Sequence, residues 1–160
     1  TEKKIPNKPI LKTGMTAIKF NEPTETSNGT VVETNENDSK WYNYENQKWA
    51  NAKTEDGSMW VWIPRYAYRI NESNQTVEVV FLKGTSDNYY DEEGKLQTAK
   101  RCEGEDDIVD TTEGFTVHPA FTDESNIGYR NGGWDKEIEG IWVAKFEAGY
   151  ASRRRKHSTN

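Results

Sequence analysis

The sequence has one cysteine, two histidines and no long apolar run. A single cysteine, Cys102, excludes a disulfide within the chain, a Cys-x-x-Cys redox pair and a cysteine-rich zinc site. Two histidines exclude a multi-histidine metal site, and a Ser-His-Asp triad could draw only on His118 because His157 lies in the C-terminal tail. No apolar run approaches the roughly 18 residues of a membrane span, and no signal peptide is visible. We therefore expect no membrane contact by this chain.

Motifs for phosphate binding and for hydrolysis are missing as well. The chain contains no Gly-x-Gly-x-x-Gly, no Walker-type loop and no Gly-x-Ser-x-Gly sequence. Its net charge of −6 disfavours nucleic acid and anionic lipid as partners. The carboxylate runs "DEE", "EGEDD" and "DES" lack the spacing that wraps calcium, although weak calcium binding by loop carboxylates stays open. The sequence thus predicts no cofactor, no metal site and no enzyme.

Aromatic side chains supply much of the apolar content. They make up 12% of the chain, against 32% for all hydrophobic residues. The densest stretch, "MWVWIPRYAYRI" at 59–70, is apolar on both faces at first and then alternates Tyr with Arg or Ala. This pattern predicts a strand that is buried on both faces and continues with one wet face, with a bulge or sheet edge at Pro64. We expect residues 59–83 to form a hairpin. The predicted core comprises Trp60, Trp62, Val79, Phe81, Trp142 and Phe146.

Shorter strand patterns flank this stretch. "MTAIKF" and "TVVET" predict a first hairpin. "WYNY" and "KWANA" predict a second hairpin, with a single helical turn as the alternative. The polar tract 85–114 predicts one or two surface loops, after which "FTVHPAFT" and "GIWVAKFEAGY" resume strand character.

Composition along the chain predicts its organisation. We expect a linker or arm at 1–12, a single β-rich domain at 13–150 and a frayed basic tail at 151–160. Because the first residue is Thr and not Met, we expect a processed product or an excised fragment.

The segment "NIGYRNGGWD" is the most informative candidate site. A Gly-Gly pair lies among Tyr129, Arg130, Asn131, Trp134 and Asp135, and sugar-binding loops use such a mixture of aromatic and polar groups. The alternative is a rigid turn whose Trp134 folds back into the core. Two tyrosines of the long polar tract extend this set. The candidate ligand-binding residues are Tyr89, Tyr90, Tyr129, Arg130, Trp134 and Asp135.

Three motifs carry a resemblance to a known family. "SMWVWIPRYAYRI", "VHPAFT" and "GIWVAKFEAGY" are similar to the first half of the formylglycine-generating-enzyme domain. The resemblance implies a β-rich α+β fold of the C-type-lectin-like class, with short strands and long loops, in a partial or shortened domain. With "WYNYENQKWANA" included, the pattern resembles surface and phage-associated proteins of gut Firmicutes, some with a pilin-like N-terminus.

The chain departs from that family in two of the matched motifs and in its extent. Arg65 and Tyr66 stand where the enzymes have Gly-Gly, and Ala148-Gly149 replace a Val-Thr pair. The sequence also lacks the family's second half, which carries the cysteine pair that holds copper. The resemblance therefore implies the scaffold and not the oxidase reaction.

These observations predict a non-enzymatic, surface-exposed module of a phage tail or a bacterial cell surface. Its loops would bind a cell-surface glycan or a protein receptor, in an extracellular, cell-surface or virion location. The alternative is a structural subunit of a pilus-like or virion filament, whose partners are copies of itself. A formylglycine-generating oxidase is a third hypothesis, which the missing cysteine pair disfavours.

Overall fold

The computed structural model describes residues 4–22, 24–25, 29–101, 114–123 and 134–147. Within these residues the chain forms β-strands and short 3-10 turns and no α-helix, so the predicted β-rich character is confirmed. The strands are β1 Met15–Asn21, β2 Thr30–Glu33, β3 Asn51–Thr54, β4 Met59–Pro64, β5 Tyr66–Asn71, β6 Thr76–Phe81, β7 Asn88–Tyr90, β8 Leu96–Thr98, β9 Thr116–Val117 and β10 Gly140–Ala144.

The strands form antiparallel sheets of different sizes. A five-stranded sheet has the order β10-β4-β3-β1-β2, a three-stranded sheet has the order β6-β5-β9, and β7 pairs with β8. The first hairpin is confirmed as β1 and β2, with Ile18 opposite Glu33. The β7–β8 hairpin lies inside the tract for which the sequence predicted only loops.

The stretch 59–70 divides between the two larger sheets at Arg65. The backbone N–H of Arg65 donates to the Glu139 carbonyl at 2.8 Å, and the Arg65 carbonyl accepts from the Leu82 N–H at 3.0 Å. The buried positions change phase there, from Trp62 before the crossing to Ala67 after it. The predicted hairpin at 59–83 is therefore wrong in extent, because β4 pairs with β3 and β10 while only β5 pairs with β6.

The predicted core is confirmed at Trp62 and wrong at Val79 and Phe146. Trp62 is 1% exposed, and Trp60, Phe81 and Trp142 are half-buried. Val79 is 48% exposed, because β6 turns its neighbour Val80 towards the core. Phe146 is 63% exposed, because it lies beyond the end of β10.

Small residues make room for the tryptophans beneath the five-stranded sheet. Ala17 and Ala50 pack with the buried rings of Trp41 and Trp62. A Cβ atom on Gly140 would overlap the Trp62 ring, so only glycine fits at this strand pairing. A separate core beneath the three-stranded sheet consists of Ala67, Leu82, Ala99 and Val117.

The segment predicted as a second hairpin is mainly a turn. Tyr44–Asn46 forms a 3-10 turn that the Asn43 side chain caps, and Asn43 makes one isolated bridge to Lys48. Gln47 follows in the left-handed conformation. The helical-turn alternative therefore describes the centre of this segment, and the paired strands reduce to a single bridge.

The described part of the N-terminal arm lies against the domain. The Asn7 side chain donates to the carbonyls of Gly84 at 2.8 Å and Glu139 at 2.9 Å, and it accepts from the Gly84 N–H at 2.9 Å. Pro6 is buried beside it. The sequence had suggested a linker with little to bury, whereas one amide here forms three bonds that tie the arm to two distant loops. Cys102 and the tail at 151–160 lie outside the described residues.

Candidate functional site

An open cleft of about 940 Å³ lies beside the tryptophan core. It contains four of the six tryptophans of the chain, and we call it the tryptophan cleft. Its walls combine these rings with carboxylates and ammonium groups. The lining residues are Ile10, Lys12, Met15, Trp60, Trp62, Thr85 and residues 134–142.

Trp134 stands at this cleft in a fixed but exposed position. Its ring is 47% exposed, and its indole N–H donates to the Ala120 carbonyl at 2.8 Å. The alternative in which Trp134 folds into the core is therefore wrong. A ring that is held by its edge and open on its surface is available for stacking.

The other indole N–H groups of the cleft also donate hydrogen bonds to acceptors within the protein. Trp142 donates to the Ile10 carbonyl at 2.8 Å, Trp62 to the Asn7 carbonyl at 3.2 Å, and Trp60 to Thr54 Oγ1 at 3.1 Å. These bonds fix the orientations of the rings. A ligand in the cleft would consequently meet ring surfaces from Trp60, Trp134 and Trp142, since Trp62 is fully buried, and hydrogen-bonding groups from other residues.

A buried arginine anchors the charged wall of the cleft. Arg65 is fully buried, and its guanidinium donates to Glu137 at 2.7 Å and to Asp87 at 2.8 Å. Arg65 Nη1 also donates to the Phe121 carbonyl at 2.9 Å. Arg101 pairs with the same two carboxylates, each at 2.8 Å. This network holds the segment that begins at Trp134 against the strand crossing at Arg65.

The charges of this network set the ionisation of Asp87. Burial alone would raise the pKa of Asp87, but hydrogen bonds from Arg101 and Arg65 together with their positive charges outweigh it and lower the pKa. The hydrogen bonds that Arg101 donates to Asp87 raise the pKa of Arg101 against the opposing effect of burial. Asp87 and Arg101 therefore stay charged at neutral pH.

The sequence-predicted site residues do not meet in one place. Trp134 and Asp135 line the tryptophan cleft. Tyr89 and Tyr90 line a different groove of about 710 Å³, where the Tyr89 ring packs edge-on against Phe115 at 5.4 Å between ring centroids. The remaining two candidates, Tyr129 and Arg130, lie outside the described residues.

Trp60 and Trp142 were predicted from the sequence as core residues. Their contribution to the wall of the cleft was not predicted. Trp142 is the cross-strand partner of Trp62, and Trp60 shares its strand. The usable signal was composition. A chain with few aliphatic residues and many tryptophans has more ring surface than a small core can enclose.

His118, the one histidine that could have served a triad, is packed among aromatic rings. Its Nδ1 accepts from the Ala120 N–H at 3.2 Å, and its ring lies 5.0 Å from Tyr66 and 5.9 Å from Phe121 between centroids. Burial lowers the pKa of His118, which keeps the ring neutral at pH 7. Its position caps the 3-10 turn Pro119–Phe121 and indicates a structural role.

Two further findings concern the described residues alone. They contain no group of three or more His, Cys, Asp or Glu side chains placed to hold a metal ion. No helix among them is long and apolar enough to cross a membrane.

Comparisons of the chain with protein-family models, with curated proteins and with solved structures found no match. The resemblance to the formylglycine-generating-enzyme family therefore stays a prediction that rests on the quoted motifs.

Proposed function

We propose that the protein is a non-enzymatic, surface-exposed module of a phage tail or a bacterial cell surface that binds a carbohydrate through the tryptophan cleft. The observation that carries the proposal is Trp134, whose ring is locked by a hydrogen bond to Ala120 and stays half exposed beside three further tryptophans. Rigid aromatic surfaces of this kind stack on the apolar face of a pyranose ring.

The size and polarity of the cleft fit a short glycan. Binding sites for small molecules commonly enclose about 300–1,000 Å³, and this cleft falls at the upper end of that range. Asp135 and Glu139 offer acceptors for sugar hydroxyls, and Lys12 and Lys136 offer donors. We further propose that the scaffold is C-type-lectin-like, which would place variable loops on a fixed arrangement of strands.

The filament-subunit alternative has one observation in its favour. The outer face of the β5–β6 hairpin exposes Ile70, Val77 and Val79 together, at 41%, 63% and 48%. Exposed apolar residues on an edge strand such as β6 suit association with another copy. Regular filaments in electron micrographs of the purified chain would favour this alternative.

The carbohydrate proposal is tested by binding to an array of bacterial surface glycans, followed by titration of a glycan that the array identifies. Trp134→Ala should weaken binding by about tenfold or more, because it removes a centrally placed aromatic contact. The melting temperature should stay nearly unchanged, because Trp134 is not a core residue.

Phe146→Ala is the matched control, since it removes an exposed aromatic ring that does not line the cleft. It should leave the affinity unaltered. Equal affinities for the parent chain and Trp134→Ala would contradict the proposal, and so would the absence of any glycan signal.

A further inference from the structure

Another groove, of about 670 Å³, shares no lining residue with the tryptophan cleft. It lies between the end of β1, the segment 39–49 and Lys145, and we call it the lysine groove. Four lysines line it, whereas Glu22 is the one carboxylate among the described residues that do so. This is a local positive site on a chain whose net charge is −6.

Two of these ammonium groups have no carboxylate partner in the part of the chain that the structure describes. Within the described residues, neither Lys40 nor Lys145 forms an ion pair. Lys48 lies 4.0 Å from Glu22, but both side chains are largely exposed, so water screens the pair strongly. Of the four lysines, Lys19 alone is closely paired within the described residues, with Asp38 at 2.7 Å.

Lys145 is held in position for a ligand. Its Nζ donates to Asn51 Oδ1 at 2.9 Å and lies 4.3 Å from the centroid of the Phe20 ring. Asn51 is itself buried, and its amide nitrogen donates to the Trp49 carbonyl at 2.8 Å, which fixes the oxygen that faces Lys145. The ammonium therefore loses little conformational freedom when it binds an anion.

The rest of the lining indicates what kind of anion fits. Amide side chains recur along the groove, and amides bind hydroxyl groups both as donors and as acceptors. Arginine, whose planar fork is suited to phosphate, is not among the described lining residues, whereas lysine acts as a point charge for separate anionic groups. The amides open to a ligand are Asn21, Asn43, Asn46 and Gln47, whereas Asn51 is engaged by Lys145 and Trp49.

We propose that the lysine groove binds an acidic polysaccharide, with Lys40 and Lys145 on the carboxylates of its sugars and the amides on its hydroxyls. This site is additional to the tryptophan cleft and does not depend on it. The acidic surface of the protein gives no long-range attraction for a polyanion, so binding depends on the local charges and weakens with added salt.

The test uses a short oligogalacturonate and its fully methyl-esterified form, titrated into the full chain by calorimetry. The esters remove the charge and keep the sugar backbone. The acidic form should bind at least about tenfold more tightly than the ester, and raising sodium chloride from about 50 to 300 mM should reduce its affinity. Equal binding of the two forms would overturn the proposal.

Variants assign the binding to the groove. The double substitution Lys40→Gln/Lys145→Gln should weaken oligogalacturonate binding by about tenfold or more. The control, Lys95→Gln/Lys100→Gln, removes two exposed lysines that do not line the groove, and should change little. All variants keep the basic tail. An unchanged affinity in the groove variant would overturn the assignment.

Two further measurements distinguish this proposal from binding at the tryptophan cleft and from binding of acidic peptides. Trp134→Ala should bind oligogalacturonate normally, so failure of the tryptophan cleft and failure of the lysine groove can be told apart. A hexaglutamate peptide should compete poorly, because it lacks the hydroxyls that the amides require. Competition as strong as that of the oligosaccharide would assign the groove to acidic peptides and overturn the polysaccharide proposal.

Discussion

Both larger sheets cover apolar cores, but the largest side chain buried beside each sheet differs in kind. Beneath the five-stranded sheet, Trp41 and Trp62 fill the space against alanines, and the contacts are apolar. Beside the three-stranded sheet, the largest fully buried side chain is Arg65, which is held by carboxylates and backbone carbonyls. Trp62 and Arg65 are three residues apart, so one short stretch of sequence supplies the centre of both arrangements.

This difference makes the two halves of the fold respond to different conditions. Apolar burial depends mainly on the area that is removed from water and changes little between pH 5 and pH 8. A charged network depends on the ionisation of its carboxylates and on the solvation that its members give up. We expect substitutions in the first sheet to act at every pH, and substitutions near the second to reveal electrostatic effects.

The largest effect is expected for Trp62→Ala. The ring is fully buried and packs against Gly140, so its removal leaves a cavity and the free energy of unfolding should fall by about 3–5 kcal/mol. Urea unfolding followed by circular dichroism measures the change. Val79→Ala is the control, because Val79 is exposed, and it should cost less than about 0.5 kcal/mol. Similar losses in the two variants would refute the comparison.

Arg65→Met is expected to rank second. The substitution removes the guanidinium that joins Asp87 to Glu137, but Arg101 still pairs with both carboxylates, and each of these is about a fifth exposed. We therefore expect a loss of about 2–3 kcal/mol, which is below the usual cost of stranding a fully buried charge. Arg65→Lys should be intermediate, since lysine keeps the charge and loses the fork. A fully stable Arg65→Met variant would show that the ion pairs of Arg65 add nothing to stability.

The sequence predicted elements better than it predicted their partners. The alternation in "MTAIKF" and "GIWVAKF" was enough to identify β1 and β10, because a half-buried strand has a period of two residues. Pro64 marked the interruption in 59–70, but no local pattern says which strands pair on either side of it. In "TVEVVF", Val79 and Val80 are chemically identical, so the sequence could not tell which one faces the core.

The candidate sites too could be predicted only where their residues are close together in the sequence. Trp134 and Asp135 were predicted from a local cluster, and the structure places both on one cleft. Tyr89 and Tyr90 were added for their chemistry alone, and they lie in another groove. The lysine groove escaped prediction because its cations are scattered along the chain and meet only through the sheet pairing and the turn that precedes β3. Its lysines are Lys19, Lys40, Lys48 and Lys145.

The smallest effect is expected from the protonation of His118, and it sharpens the comparison by locating a pH dependence beside the three-stranded sheet. Burial lowers the pKa of His118 in the folded chain, so below its ordinary value of about 6.5 the unfolded chain binds more protons than the folded chain. Stability should therefore fall between pH 7.5 and pH 5. The lowered pKa of Asp87 acts only in more acidic solution, near or below the ordinary Asp range.

His118→Asn isolates this contribution, because the Asn oxygen can still accept from the Ala120 N–H and cap the 3-10 turn. The urea midpoint of the parent chain should fall over this pH interval, whereas that of His118→Asn should fall less. Trp62→Ala should keep the slope of the parent, since its loss is apolar. Parallel pH profiles for the parent and His118→Asn would mean that protonation of His118 does not limit the stability of the fold, and the pH dependence would then have to come from other groups.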